Sequence, residues 1–220
     1  MGAWNRLSNK NYRDAEMDSM FDCTVSLAIT GASGVQYGLK LLRSLVALNC
    51  KVYLMVSSAA EVVMRVEAGL EVPESLAAQQ IFFNNYSAAK PEQLTCLAKD
   101  DWFAPVASGS STPAAMVVCP CSGGSLAAIA TGASNNLIER AADVALKERR
   151  SLILVPREAP YSEIHLSHML ALTRMGAVIV PASPGFYHKP QTIEDLIDFV
   201  VARVLSQLGL EQSLVPPWGE

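Results

Sequence analysis

The chain is poor in charge, poor in histidine and free of long apolar runs. Only 17% of its 220 residues are charged, and the formal net charge is -4. It therefore lacks the basic footprint that a nucleic-acid-binding surface needs. No stretch reaches the roughly 18 consecutive apolar residues of a transmembrane helix. Residues 1–22 are polar and mixed in charge, without the apolar core of a signal peptide. The start, MGAWNR, has Arg6 where a myristoylation signal carries Ser or Thr. The five cysteines are Cys23, Cys50, Cys96, Cys119 and Cys121. Their number is odd, and Cys50 and Cys119 sit in apolar surroundings, a pattern that fits a reducing cytoplasm. Cys119 and Cys121 are one residue apart, the spacing of neither a redox CxxC nor a zinc knuckle. His165 and His168 stand three apart, a spacing that metal ligands use, but no third ligand accompanies them. There is no GxSxG elbow. The glycines Gly31, Gly34 and Gly38 miss the GxGxxG spacing, and the second strand ends in Ser57-Ser58 with no carboxylate for a ribose. A nicotinamide dehydrogenase is thereby disfavoured, and a mononucleotide such as FMN fits better.

Half of the residues are hydrophobic, which at this length supports one core in one domain. Residues 1–22 read as a flexible or partner-bound tail and 23–220 as a single domain. TVSLAIT (24–30), KVYLMVS (51–57), LTCLA (94–98), AMVVCP (115–120), SLILVP (151–156) and GAVIVP (176–181) read as strands. Helices fall between them, at 35–48, 58–67, from Ser122, from Asn135 and at about 161–175, with one more after Thr192. Residues 69–93 read as a short helical excursion. Strands alternating with helices predict a doubly wound, mostly parallel α/β sheet in a three-layer αβα fold, Rossmann-like or flavodoxin-like. SLILV is apolar on both faces, so it belongs inside a covered parallel sheet.

Chemistry-bearing residues gather where such a fold binds ligands, beyond the carboxyl ends of the strands. Arg157 and Glu158 follow SLILVP directly. T30-G-A-S-G34 and C121-S-G-G-S125 each join a strand to a helix, where small residues admit a ligand to the backbone and the helix N-terminus attracts an anion. Arg140, Asp143 and Lys147 share one helix face. Lys147, Arg149 and Arg150 also suit the negative end of the helix dipole. Arg203 and Tyr187 lie near the later strand ends and could hold a phosphate. Arg203 sits among apolar residues and reads equally as a charge at a subunit seam. Glu67 and Glu158 read either as proton shuttles or as caps and ion-pair partners.

The segments TGASGVQYG, DDWFAPVASGSS, CPCSGG, NNLIERAADVALKERR, VPREAP and PGFYHKPQT, together with the Ser57 junction, carry a resemblance. On them the chain resembles the UbiX-type flavin prenyltransferases, which are related to the flavin-dependent cysteine decarboxylases. The likeness runs from about residue 24 to residue 218. It implies a large homo-oligomer, typically a dodecamer, with sites at subunit contacts. The implied activity is transfer of a dimethylallyl group from dimethylallyl phosphate to N5 and C6 of reduced FMN, with no metal. Prenylated FMN would then serve a UbiD-type decarboxylase, for instance in ubiquinone biosynthesis. Carried over by position, Gly31, Ala32, Ser33, Ser57, Ser122, Gly123, Gly124, Ser125 and Arg157 match FMN-binding positions. Tyr187 and Arg203 match donor-phosphate positions. Arg140 and Lys147 match further cations that reach a neighbouring subunit's site. Glu158 matches a proton-handling carboxylate, Glu67 and Ser33 match supporting polar positions, and Trp102 matches an aromatic wall, with Trp218 closing the site. The polar N-terminal segment is the one feature the family pattern does not explain.

Two rivals make different demands. A cysteinyl-substrate decarboxylase of the related group carries a PxMNxxM clamp, and the corresponding loop here reads PASPGFYHKP. A non-catalytic flavin carrier has no use for the cluster Arg140, Lys147, Tyr187 and Arg203.

Overall fold

The computed structural model describes residues 20–216. The proposed tail therefore lies outside the described residues as far as residue 19, and Trp218 lies outside them too. Six parallel strands form one sheet: β1 (Cys23–Ile29), β2 (Cys50–Val56), β3 (Leu94–Cys96), β4 (Ala115–Cys121), β5 (Ser151–Pro156) and β6 (Val178–Ile179). Their order is β3-β2-β1-β4-β5-β6. The order reverses between β1 and β4, so a crevice opens at the carboxyl ends of those two strands.

Seven α-helices are present among the described residues: α1 (Val35–Ala47), α2 (Ser58–Ala68), α3 (Leu76–Ser87), α4 (Gly123–Ala130), α5 (Leu137–Lys147), α6 (Glu163–Arg174) and α7 (Ile193–Gln207). The layers follow from side-chain alternation along the strands. Val25, Leu27, Ile29, Val117, Ile153 and Val155 point into a core closed by α1, α2, α3 and α7. Ala28, Met116, Val118, Leu152 and Leu154 point into a second core closed by α4, α5 and α6. A strand buried on both faces reads as a continuous apolar run, which is why SLILV was legible as an interior strand.

Local chemistry fixes the helix starts. Ser57, Ser75, Ser122, Asn136, Ser162 and Thr192 each accept a backbone N–H of the following helix through the side chain. The expected excursion at 69–93 contains the twelve-residue α3. The last strand is shorter than GAVIVP. Only Val178 and Ile179 pair regularly, although the Val180 and Ala182 amides still donate to the Leu154 and Pro156 carbonyls.

One expectation is corrected. Cys23 and Cys50 are the first register pair of β1 and β2, with Cα atoms 4.7 Å apart, and they are disulfide-bonded. The pattern fitting a reducing compartment does not extend to this pair, whereas Cys96, Cys119 and Cys121 are free and buried. Twenty-seven positions separate the bonded pair in sequence, and only strand register brings them together.

Candidate active site

The turn after β1 is held from three sides. Thr30 is buried, accepts the Ser122 amide on Oγ1 at 2.8 Å and donates that hydroxyl to the Pro120 carbonyl at 2.8 Å. It thus locks the end of β1 to the end of β4 at the point where the strand order reverses. Gly34 has φ of 91° and sits just before α1, a left-handed conformation that glycine adopts without a Cβ penalty. Its amide donates to Glu67 Oε2 at 2.8 Å, and Gln36 Nε2 donates to the Glu67 carbonyl at 3.3 Å. Partial burial pushes the Glu67 carboxyl up. Hydrogen bonds from the Ser33 hydroxyl and the Gly34 and Val35 amides, with the Arg157 guanidinium, outweigh that effect and hold it below its ordinary value. Of the two roles left open for Glu67, the contacts are those of a cap on the turn.

The second loop begins at Ser122, the N-cap of α4. Its Oγ accepts the Ser125 amide at 3.2 Å and donates to Ser125 Oγ at 3.0 Å. Gly123 lies against His165, where a Cβ would come within 2.9 Å of Nε2, whereas beside Gly124 there is open space. His165 also completes the cap of α6, its Nδ1 accepting the Ser162 amide at 3.2 Å. Ser57 and Ser125 line a cavity of about 170 Å³, together with Ser58, Lys99, Asn136 and apolar side chains. Lys99 Nζ donates there to Ser58 Oγ at 2.8 Å and to Glu61 at 2.9 Å.

Arg157, just past β5, reaches across β4 and donates from Nε to the Ser33 carbonyl at 3.1 Å. Burial, and then Cys119, pushes the Tyr37 hydroxyl above its ordinary value, with Arg157 pulling the other way. Burial and then Glu158 raise Tyr161 similarly, again opposed by Arg157. Glu158 is exposed, and its Oε1 accepts the Ala159 amide at 3.1 Å. Tyr187 and Arg203 line a shared cavity of about 270 Å³ with Phe199, Ser206 and Gln212. Tyr187 packs edge-on against Phe199 and His188, and the His188 ring stacks on Phe199.

The remaining sequence candidates are placed elsewhere in the single chain. Arg140 donates from Nε to the Ala107 carbonyl at 3.1 Å and pairs with Asp143 at 3.0 Å. Lys147, about two turns further along α5, pairs with Glu148 at 2.6 Å. Trp102 is half exposed beside a fully exposed Phe103. Thr30, Tyr37 and Lys99 were not singled out from sequence. Thr30 and Tyr37 lie inside the TGASGVQYG segment and carried a signal, whereas Lys99 becomes visible only through the cavity it lines.

The arrangement fits a mononucleotide. Helices α1, α2 and α4 begin just past the carboxyl ends of β1, β2 and β4, Ser57 and Ser125 line the cavity beside them, and Arg157 supplies a cation bonded to the Ser33 carbonyl. Among the described residues no cluster of three or more metal-binding side chains occurs, and no helix is long and apolar enough to cross a membrane.

The family model for flavoproteins matches residues 14–205. A flavin prenyltransferase UbiX of Pseudomonas aeruginosa is 58% identical over 196 residues, covering 89% of this chain and 94% of the relative. AnUbiX, solved in complex with FMN and dimethylallyl pyrophosphate, superposes with a TM-score of 0.77 at 40% identity, covering 90% and 98% of the two chains. A dodecameric FMN-dependent UbiX-like decarboxylase from Escherichia coli gives 0.78 at 39% identity, with 90% and 100% covered.

Proposed function

The chain belongs to the flavoprotein family, and within it to the UbiX-type flavin prenyltransferases, and from that premise we propose that it prenylates reduced FMN. The donor is dimethylallyl phosphate, the new bonds go to N5 and C6, and inorganic phosphate leaves. The observation that carries the reading is the meeting, at the carboxyl ends of β1 and β4, of two small-residue loops joined by Thr30 and spanned by the Arg157 bond to Ser33.

When bound, reduced FMN supplies the electron-rich atoms that accept the allyl group. Gly31, Ala32, Ser33, Ser57 and Ser122–Ser125 hold it through amides and hydroxyls, and Arg157 pairs with its negative charge. Breaking the allylic carbon–oxygen bond leaves negative charge on phosphate and positive charge on the allyl fragment. Arg203 and Tyr187 stabilise the first, by a guanidinium fork and a neutral donor. Arg140 and Lys147 add to them from an adjacent subunit. Trp102 gives the allyl cation an aromatic face. Glu158, exposed beside Arg157, accepts the ring proton released as the second bond forms. Glu67 acts through the turn it caps. The protein works in the cytoplasm as a dodecamer, and its product serves a UbiD-type decarboxylase of a ubiquinone-type pathway. No step calls on a metal, so chelator leaves the rate unchanged.

The test is an anaerobic incubation of the protein with reduced FMN and dimethylallyl phosphate, or the diphosphate. Mass spectrometry is expected to find a flavin heavier by one five-carbon unit. Recovery of unmodified FMN from folded, flavin-loaded protein would sink the reading. Arg203→Gln and Tyr187→Phe should raise the donor KM while leaving FMN binding intact, and equal losses of both would make those residues structural. The E. coli relative is described as a decarboxylase. That second reading requires carbon dioxide release from a carboxylate substrate with no change in flavin mass.

A further inference from the structure

Cys23 opens β1 and Cys50 opens β2, and the two are register partners in a parallel pair. Side chains at paired positions leave the same face of a sheet. The Cα separation of 4.7 Å lies inside the window that a disulfide spans without moving backbone. The surroundings keep the two together. The Asp22 amide donates to the Asn49 carbonyl at 3.1 Å, Asn49 Nδ2 donates to Asp22 at 3.2 Å, and Lys90 Nζ donates to Asn49 Oδ1 at 3.1 Å. Cys50 is fully buried, whereas Cys23 is partly exposed, so small thiol reagents meet Cys23 first.

The other cysteines are inert by comparison. Burial pushes the Cys96 and Cys121 thiols up to about 12 and raises Cys119 as well. The segment between the bonded pair, 27 residues in sequence separation, is the β1–α1–β2 unit that carries the Thr30–Gly34 turn. The pair lies at the opposite end of β1 from that turn, roughly 20 Å away for a strand of this length.

We infer that Cys23 and Cys50 form a reversible modification site, a dithiol–disulfide couple that exchanges with a low-molecular-weight disulfide such as glutathione disulfide. When oxidised, it staples the β1–α1–β2 unit from the end remote from the ligand crevice. The Cys23 thiolate attacks one sulfur of glutathione disulfide and expels one glutathione thiolate, leaving a mixed disulfide. The Cys50 sulfur, losing its proton, attacks the Cys23 sulfur and expels the second glutathione. Two protein thiols become one sulfur–sulfur bond, and one small disulfide becomes two thiols, which take up the two protons. Oxidation restricts the unfolded chain and leaves the crevice untouched. Nothing in this depends on the prenyltransferase reading.

The test uses the full chain, reduced with dithiothreitol, desalted, incubated with glutathione disulfide and quenched with an alkylating agent. Intact mass is expected to fall by about 2 Da, the two thiol hydrogens, and peptide mapping to find Cys23 joined to Cys50. The other three thiols should react only after denaturation. The melting temperature should rise by roughly 5–15 °C and return on adding dithiothreitol. FMN affinity should be the same in both forms. Cys23→Ser and Cys50→Ala should abolish the cross-link and make the melting temperature insensitive to glutathione disulfide. The surface variant Cys23→Ser keeps the test sound if the buried one folds poorly. A stable glutathione adduct on Cys23, failure to lose both thiols, or a cross-link that leaves the melting temperature unchanged would overturn the proposal. A several-fold change in FMN affinity between the forms would overturn the remote staple.

Discussion

Glu67 ends α2 and spends its carboxylate on the turn after β1, where it accepts the Gly34 amide and sits near the Arg157 guanidinium. Its folded-state pKa lies below the ordinary value of 4.5. A depressed carboxyl stabilises the fold above its unfolded pKa and loses that contribution as pH falls through the lower folded value. Glu67→Gln is therefore expected to lower the urea midpoint at neutral pH, with the gap to the parent chain closing below about pH 4. Urea titrations at several pH values check this, and a gap that persists into acid would assign the loss to packing instead. At this scale sequence reading named residues but not their partners. Arg157 and Glu158 stood out because nothing about a strand end requires them. That Arg157 donates to Ser33, 124 positions away, is a product of the strand order.

Among the elements, α1 shows how one residue sets a packing distance. A Cβ on Gly38 would run into the Cys119 carbonyl oxygen and come 3.2 Å from Ile29 Cγ1. The helix can rest on the β4 backbone only because that position has no side chain. Gly38→Ala should cost about 1–3 kcal/mol as the helix is pushed off the strand. It should move the denaturant midpoint with little change in slope, because the surface exposed on unfolding stays the same. An unchanged midpoint would mean that the helix slides without cost. The sequence treated Gly38 only as a glycine at the wrong spacing for a dinucleotide site, because its contact belongs to another strand. Elements with strong local signals were legible: apolar runs gave the interior strands, and Ser122 and Thr192 gave helix starts. The edge strand was legible as an element but not in its length, because Val178 and Ile179 pair with one neighbour alone.

For the whole molecule, the single chain leaves large apolar side chains exposed, with Ile164, Leu166 and Leu170 on α6 among them. Such faces mark surfaces that another chain covers. Arg140 and Lys147 pair within their own chain with Asp143 and Glu148. If they complete a neighbour's site, Lys147→Gln and Arg203→Gln variants, each nearly inactive alone, should complement when reassembled together. Random mixing leaves up to roughly a quarter of the sites with both native residues. Prenylated flavin from the mixture, and not from either variant, is the readout, and no recovery would place Lys147 outside any shared site.

The sequence alone determined the alternation of strands and helices, the parallel interior sheet and the two small-residue loops that join strand to helix, because each rests on local periodicity, capping or strand-end position. Tertiary structure decided what is paired across distance. Strand order brought Arg157 to Ser33 and Thr30 to Ser122, and register brought Cys23 to Cys50. Packing turned Glu67 into a cap. These are contacts between segments whose relative placement is fixed only when the two cores close, so no window of sequence contains them.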